Sequence, residues 1–96
     1  MKIKKFEIIN HGYEDSSYFQ GYGTAFTDFD YVATGIGTDA KEAYEDALDQ
    51  LAMNGYDVSI LPSRPAGIRK RDKVPAKFLT EDSDVWWRVS IRISTE

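Results

Sequence analysis

Apolar residues between positions 40 and 52 recur with the period of an α-helix. Successive apolar positions lie three or four residues apart, which places them on one helical face. They are Ala40, Ala43, Tyr44, Ala47, Leu48, Leu51 and Ala52. Asp39 is predicted to be the N-cap, and Glu42 three residues later completes a capping-box pattern. The helix is expected to end at Asn54-Gly55, with Gly55 in the left-handed conformation.

Strict alternation of apolar and polar residues predicts a final strand near the C-terminus. Val85, Trp87, Val89, Ile91 and Ile93 alternate with Trp86, Arg88, Ser90, Arg92 and Ser94. The first set is expected to face the helix, and the second set to face away from it. Shorter apolar runs predict three earlier strands, at about 2–9, 18–26 and 31–36. Turns are predicted at 10–12 and 27–30.

The predicted order is β-β-β-α-β, an α+β fold in which one helix covers one face of an antiparallel sheet. The first three strands are expected to form a meander. If their second hairpin centres on Phe29, Gly23 faces Gly35 and Gly21 faces Gly37, which would let another element approach closely. Residues 1–96 are predicted to form a single domain, with residues 59–84 as a long basic loop containing prolines before the last strand.

Charge is distributed unevenly along the chain. The net charge is −4, but residues 64–77 carry six basic side chains and one acidic residue, Asp72. This segment therefore has a charge of +5, and the rest of the chain has a charge of −9. Such a distribution suits a charged partner on either side, although a solvated loop balancing an acidic body explains it equally well.

Several classes of function are disfavoured by the composition. The chain has no cysteine and one histidine, His11, so neither a thiolate metal site nor a catalytic triad is expected. We expect no catalytic residues, no metal and no cofactor, and therefore no enzyme. No apolar run approaches the length of a membrane span, and the cytoplasm is the expected compartment. His11 is interpreted as a turn residue, with a ligand contact as the alternative.

Two charged surfaces are candidate partner-binding sites. The exposed helix face is predicted to carry an acidic stripe made of Glu42, Glu45, Asp46 and Asp49. The loop carries a basic cluster made of Arg69, Lys70, Arg71 and Lys73. Either surface could dock on a charged protein, although solvated charges are the simpler interpretation of both.

Aromatic and basic residues also allow an alternative site for a nucleotide or a single strand. Bases stack on aromatic rings while guanidinium groups hold phosphates. The candidates are Tyr18, Tyr22, Trp86, Arg88 and Arg92. Double-stranded nucleic acid is disfavoured by the acidic body and the pI near 4.9. A nucleotide-binding form would be expected to be a homo-oligomer.

The segment from Gly21 to Ala52 resembles the HicB-like antitoxin domain. That family has a G-Y-x-V-x-F-x-D strand and turn followed by a G-D-T-x-E-E-A helix start. The counterparts here read G-Y-G-T-A-F-T-D at 21–28 and G-T-D-A-K-E-A at 37–43. The resemblance implies an orphan antitoxin, whose toxin would be encoded by an adjacent gene.

Residues 11–58 are similar to small bacteriophage-encoded proteins with no assigned activity. The shared pattern is H-G, Y-F-Q-G-x-G, F-T, G-x-G and an E-A-x-x-D-A-L helix, found here at 11–12, 18–23, 26–27, 35–37 and 42–48. This resemblance implies an accessory protein of a phage or mobile element, in the cytoplasm of a host bacterial cell. We expect an anti-CRISPR-like inhibitor that docks on an immune protein, or alternatively a sponge for a nucleotide immune signal.

Overall fold

The computed structural model describes residues 2–15, 23–25, 31–63 and 67–95. Tyr18 and Tyr22, two of the candidate ligand-binding residues, lie outside this range, as do Gly21 and the turn predicted at 27–30.

The structure has the predicted α+β architecture. Its elements are β1 (Ile3–Asp15), β2 (Gly23–Ala25), β3 (Tyr31–Gly37), α1 (Ala40–Met53), a short 3-10 helix (Ala76–Phe78) and β4 (Val85–Thr95). The strands form one antiparallel sheet in the order β1-β4-β3-β2. Helix α1 packs against β3 and β4.

The first strand is longer than predicted, and the prediction of a turn at 10–12 is wrong. β1 continues to Asp15 through a bulge, because Ile9 pairs with Ser90 while Gly12 pairs with Arg88. The first strand thus has one residue more than β4 at this point. A glycine within an extended segment is typical of a bulge as well as of a turn, and pairing with the long strand β4 decides in favour of the bulge.

The predicted meander is also wrong, because β1 pairs with β4 and not with β2. β4 lies between β1 and β3. Its side chains Val89, Ile91 and Ile93 are completely buried. A strand whose apolar face is buried along this length is best placed at the centre of a sheet, where neighbours flank it on both sides.

The β2–β3 hairpin has a different register from the predicted one. Gly23 pairs with Thr34 rather than with Gly35, and a slip of one residue moves a side chain to the other face of a sheet. Gly35 and Gly37 instead lie against α1, since a Cβ atom on either would come within 3.0 Å of the helix. The glycines of β3 therefore allow the helix to approach the sheet closely.

The predicted N-cap, Asp39, and the left-handed Gly55 at the end of α1 are confirmed, whereas the predicted capping box is not formed, because the Glu42 carboxylate accepts from Thr38 and not from the Asp39 N–H. The Asp39 carboxylate accepts a hydrogen bond from the Glu42 N–H at 2.8 Å. Gly55 has a φ of 86°, its N–H donates to Ala52 O, and the Tyr56 N–H donates to Leu51 O. This pair of bonds is the Schellman arrangement, which satisfies carbonyl groups in the last turn.

The core lies between α1 and the sheet, and the predicted alternation along β4 is confirmed. Trp87, Val89, Ile91 and Ile93 are buried, and Val85 packs against the core. The segment 59–84 also contributes to this core. Its side chains Leu61, Ile68 and Val74 are buried, so the described residues of this segment are held against the domain.

Candidate functional site

A cleft separates the N-terminal half of α1 from Ser63 and residues 67–72. Its volume is about 670 Å³, which is within the range of roughly 300–1,000 Å³ found for small-molecule sites. Among the residues that the structure describes, those lining the cleft are Asp39, Lys41, Tyr44, Glu45, Ser63, Ile68, Arg69, Lys70 and Asp72. The cleft thus joins part of the acidic helix to part of the basic segment.

Backbone hydrogen bonds fix the basic segment to the beginning of α1. The Ala40 N–H donates to Asp72 O at 2.7 Å, and the Val74 N–H donates to Thr38 O at 2.8 Å. These bonds make a short antiparallel bridge between Asp39 and Lys73. One of the donors that a helix N-terminus leaves without an intrahelical partner is thereby satisfied, and one wall of the cleft is anchored to the other.

A tight turn presents the basic side chains. The Asp72 carboxylate accepts from the Arg69 N–H at 2.8 Å, and the Asp72 N–H donates back to Arg69 O at 3.0 Å. Ile68 immediately before the turn is buried, whereas Arg69 and Lys70 are exposed. The buried isoleucine anchors the turn, and the two cations that follow it line the cleft.

Tyr44 connects the helix to the opposite wall. Its side chain is completely buried, and its hydroxyl donates to Pro62 O at 2.6 Å. Burial raises the pKa of the Tyr44 phenol, because the charged form is poorly solvated there. Tyr44 and Ile68 provide apolar lining between the charged side chains.

Charges of both signs line the cleft. Among the described lining residues, Lys41, Arg69 and Lys70 are basic, and Asp39, Glu45 and Asp72 are acidic. Two of the carboxylates accept backbone hydrogen bonds, as described for Asp39 and Asp72. Lys41 and Glu45 form an exposed ion pair at 3.9 Å, which contributes little to stability and can rearrange around a partner.

The predicted acidic stripe is divided by the structure. Only Glu45 of its four members lines the cleft. Glu42 accepts from the Thr38 N–H at 2.9 Å and from the Thr38 hydroxyl at 2.8 Å, and these bonds lower the pKa of its carboxyl. Asp46 accepts from the Ile36 N–H at 3.0 Å. Asp49 is exposed.

The predicted basic cluster is divided in a similar way. Arg69 and Lys70 line the cleft, whereas Arg71 and Lys73 are exposed and are not part of its lining. The four residues are close in sequence, but Arg71, within the same turn, and Lys73, after it, do not line the cleft. This division supplies a natural control for experiments on the cleft.

The remaining candidate ligand-binding residues lie on the sheet face opposite α1. Arg88 forms an ion pair with Glu14, and Arg92 forms one with Glu7. Trp86 is half-buried and lines a smaller recess of about 230 Å³. These three side chains are therefore separate from the cleft.

His11 lies within the β1 bulge and not in a turn. Its ring is 5.9 Å from that of Trp87, and the Tyr13 ring is 5.8 Å from Trp87 on the same strand pair. The indole Nε1 of Trp87 is buried and has no hydrogen-bond partner among the described residues. The histidine thus belongs to a small aromatic cluster at the β1–β4 junction.

Sequence reasoning missed Lys41, Tyr44 and Ile68 as members of the cleft. The helical pattern predicts Tyr44 as a core residue, and its ring is buried. The pattern does not predict that its hydroxyl donates to Pro62 O. One signal was present: a tyrosine among alanine and leucine positions brings a hydroxyl that needs a partner when buried. Lys41 precedes it by three residues and lies next to it on the helix surface.

Comparisons with protein-family models, curated proteins and solved structures find no significant match. Among the described residues, no group of three or more histidine or carboxylate side chains could hold a metal ion. No described helix has both the length and the hydropathy needed to cross a membrane.

Proposed function

We propose that this chain is a binding protein of a phage or mobile element that docks on a bacterial immune protein and inhibits it. The observation that carries the proposal is the cleft between α1 and residues 67–72. It joins Glu45 of the acidic helix to Arg69 and Lys70 of the basic segment, so both charged surfaces inferred from the sequence contribute to one recess.

The composition of the cleft supports a protein partner. Its walls carry cations and carboxylates in similar number around Tyr44 and Ile68. A mixed arrangement of this kind complements a surface that presents an apolar side chain flanked by charges, because interfaces combine an apolar centre with a polar rim. The phage origin and the immune target rest on the sequence pattern at residues 11–58. The protein would act in the cytoplasm of the host cell.

Phage plating tests this proposal. Strains that each carry one defence system are infected with and without expression of the protein, and rescue of plaque formation identifies the system inhibited. Arg69→Ala combined with Lys70→Ala is expected to abolish rescue. Arg71→Ala combined with Lys73→Ala removes the same charge outside the cleft and is expected to retain it. Absence of rescue in every strain with good expression would refute the proposal.

The size of the cleft favours a second candidate function, a sponge for a nucleotide immune signal. A volume of about 670 Å³ accommodates a nucleotide, and Lys41, Arg69 and Lys70 could hold its phosphates. The test is thermal stabilisation by ADP-ribose and by a cyclic dinucleotide. Stabilisation that the Arg69→Ala, Lys70→Ala variant loses would favour the sponge, and an unchanged melting temperature with both probes would favour docking on a protein.

A further inference from the structure

Strand β1 lies at one edge of the sheet and is its longest strand, with 13 residues. In the part of the chain that the structure describes, β4 is the only strand that pairs with it, and Lys2 makes one isolated bridge to Asp57. An edge strand presents backbone N–H and C=O groups that can pair with a further strand.

Charged residues are segregated along β1. Lys4 and Lys5 lie near its N-terminal end with Lys2 just before it, and Glu14 and Asp15 lie at its C-terminal end. Glu7, the other acidic residue of β1, forms an ion pair with Arg92 of β4. In an antiparallel pair with a second copy of β1, each basic end would lie beside an acidic end. A parallel pair would align like charges, which is destabilising. The strand is therefore complementary to itself in one orientation only.

From this complementarity we infer that the chain forms a symmetric dimer in which two β1 edges pair antiparallel. The two sheets would then join into one continuous sheet about a two-fold axis, the commonest symmetry of soluble oligomers. The inference is independent of the proposed function and of the cleft.

The bulge restricts the registers that this dimer can adopt, because it changes which residues of β1 share a face. Lys5 pairs with Ser94 and Glu14 with Trp86, so both lie on the face opposite α1. Phe6 pairs with Ile93 and Tyr13 with Trp87, so both lie on the α1 face. Registers that differ by two residues all keep the faces of the two copies aligned. Among them, the register that places Lys5 opposite Glu14 of the second copy also places Phe6 opposite Tyr13 of the second copy.

The same register covers two exposed aromatic residues. Phe6 is 36% exposed and Tyr13 is 48% exposed, and both lie on the edge strand. Aromatic pairs across strands stabilise a sheet, and the two-fold symmetry makes this pair occur twice. Lys5 of the second copy would also extend the ion pair between Glu14 and Arg88. Apolar burial and charge thus favour one arrangement.

Cysteine cross-linking tests the register directly, because the chain has no cysteine of its own. Phe6→Cys and Tyr13→Cys proteins are prepared separately, mixed and oxidised. Residues opposite each other on antiparallel strands are about 4.5–5.5 Å apart between Cα atoms, within reach of a disulfide. We expect a covalent dimer from the mixture only. Neither variant should cross-link with itself, because seven residues of strand separate like positions by about 23 Å.

Analytical ultracentrifugation tests the dimer without cross-linking. Phe6→Lys places a charge within the apolar pair and is expected to raise the dimer dissociation constant at least about tenfold. Ile60→Lys is the matched control, since Ile60 is 55% exposed but lies outside β1, and it should dimerise as the unaltered chain does. A monomer at all concentrations up to about 1 mM, or a Phe6→Cys protein that cross-links efficiently with itself, would overturn the inference.

Discussion

Gly35 of β3 lies directly beneath Ala43 of α1. A Cβ atom at position 35 would come within 3.0 Å of backbone atoms of Ala43 and Ala47. Because these atoms belong to a helix, they cannot move aside as a flexible side chain can. Gly35→Ala is expected to lower the free energy of unfolding by about 3 kcal/mol or more, measured by equilibrium urea denaturation.

Gly12→Ala is the matched control for this substitution. A Cβ atom at position 12 would have no heavy atom within 4 Å, so the change in the free energy of unfolding is expected to stay within about 0.5 kcal/mol. Similar losses in the two variants would show that close helix–sheet contact is not the reason for glycine at position 35.

The sequence predicted the elements of this fold better than their arrangement. Helix α1 and β4 have long periodic patterns and explicit end signals at Asp39 and Gly55, and both are confirmed. The predicted strand pairing, a meander of the first three strands, is wrong, because the position of β4 between β1 and β3 depends on which apolar face is buried most completely. The sequence around Gly12 is equally typical of a turn and of a bulge, and only the pairing of β1 with β4 shows that it is a bulge.

The cleft could be predicted only in part, for a related reason. Arg69, Lys70 and Glu45 were identified from their charge, but the turn that groups two of them depends on a hydrogen bond to Asp72. Asp46 looked like an exposed acid from its helical position. Asp46 accepts from the Ile36 N–H because α1 lies close to β3. The helix can lie this close because positions 35 and 37 of β3 are glycines.

Tyr44 is expected to hold the two walls of the cleft together. Tyr44→Phe removes the hydrogen bond to Pro62 O and should lower the free energy of unfolding by about 1 kcal/mol. Since burial raises the pKa of Tyr44, the native state retains this proton more strongly than the unfolded chain does. Stability from this group is therefore complete below about pH 10, the ordinary tyrosine value, and is lost as the pH rises further.

Chemical denaturation between neutral and alkaline pH measures both effects of Tyr44→Phe. The variant should show a weaker loss of stability at alkaline pH than the unaltered chain. Tyr13→Phe is the control, because Tyr13 is 48% exposed, and it should alter stability by less than about 0.5 kcal/mol. If Tyr13→Phe reduces the loss of stability at alkaline pH as much as Tyr44→Phe does, this loss cannot be attributed to Tyr44.

Glu42 is expected to stabilise the fold at neutral pH and to lose this contribution at acid pH. The Thr38 N–H, followed by the Thr38 hydroxyl, lowers the pKa of this carboxyl. A lowered pKa favours the charged form in the native state, so the contribution is present above the ordinary glutamate value of about 4.3 and is lost as the pH falls below it. Glu42→Gln should remove this part of the acid dependence.

Thermal melting between neutral and acid pH measures the effect of Glu42→Gln. Glu81→Gln removes the same charge from an exposed position outside α1 and should leave the acid profile as in the unaltered chain. If both variants lose stability identically as the pH falls, the hydrogen bonds from Thr38 to Glu42 are not the cause of the acid dependence.

Thr34 and Ser90 form a buried hydrogen bond on the sheet face opposite α1. They pair across β3 and β4, their hydroxyl oxygens are 2.7 Å apart, and their residues are 4% and 5% exposed. Thr34→Val leaves the Ser90 hydroxyl without this partner, so a loss of about 1–3 kcal/mol in the free energy of unfolding is expected. Ser90→Ala should cost a similar amount. The double variant Thr34→Val, Ser90→Ala leaves no hydroxyl of this pair unsatisfied, so its loss should be clearly smaller than the two single losses together.

Urea denaturation of the four proteins gives the coupling energy between Thr34 and Ser90. Strictly additive losses would mean that the hydrogen bond itself contributes nothing to the stability of the sheet.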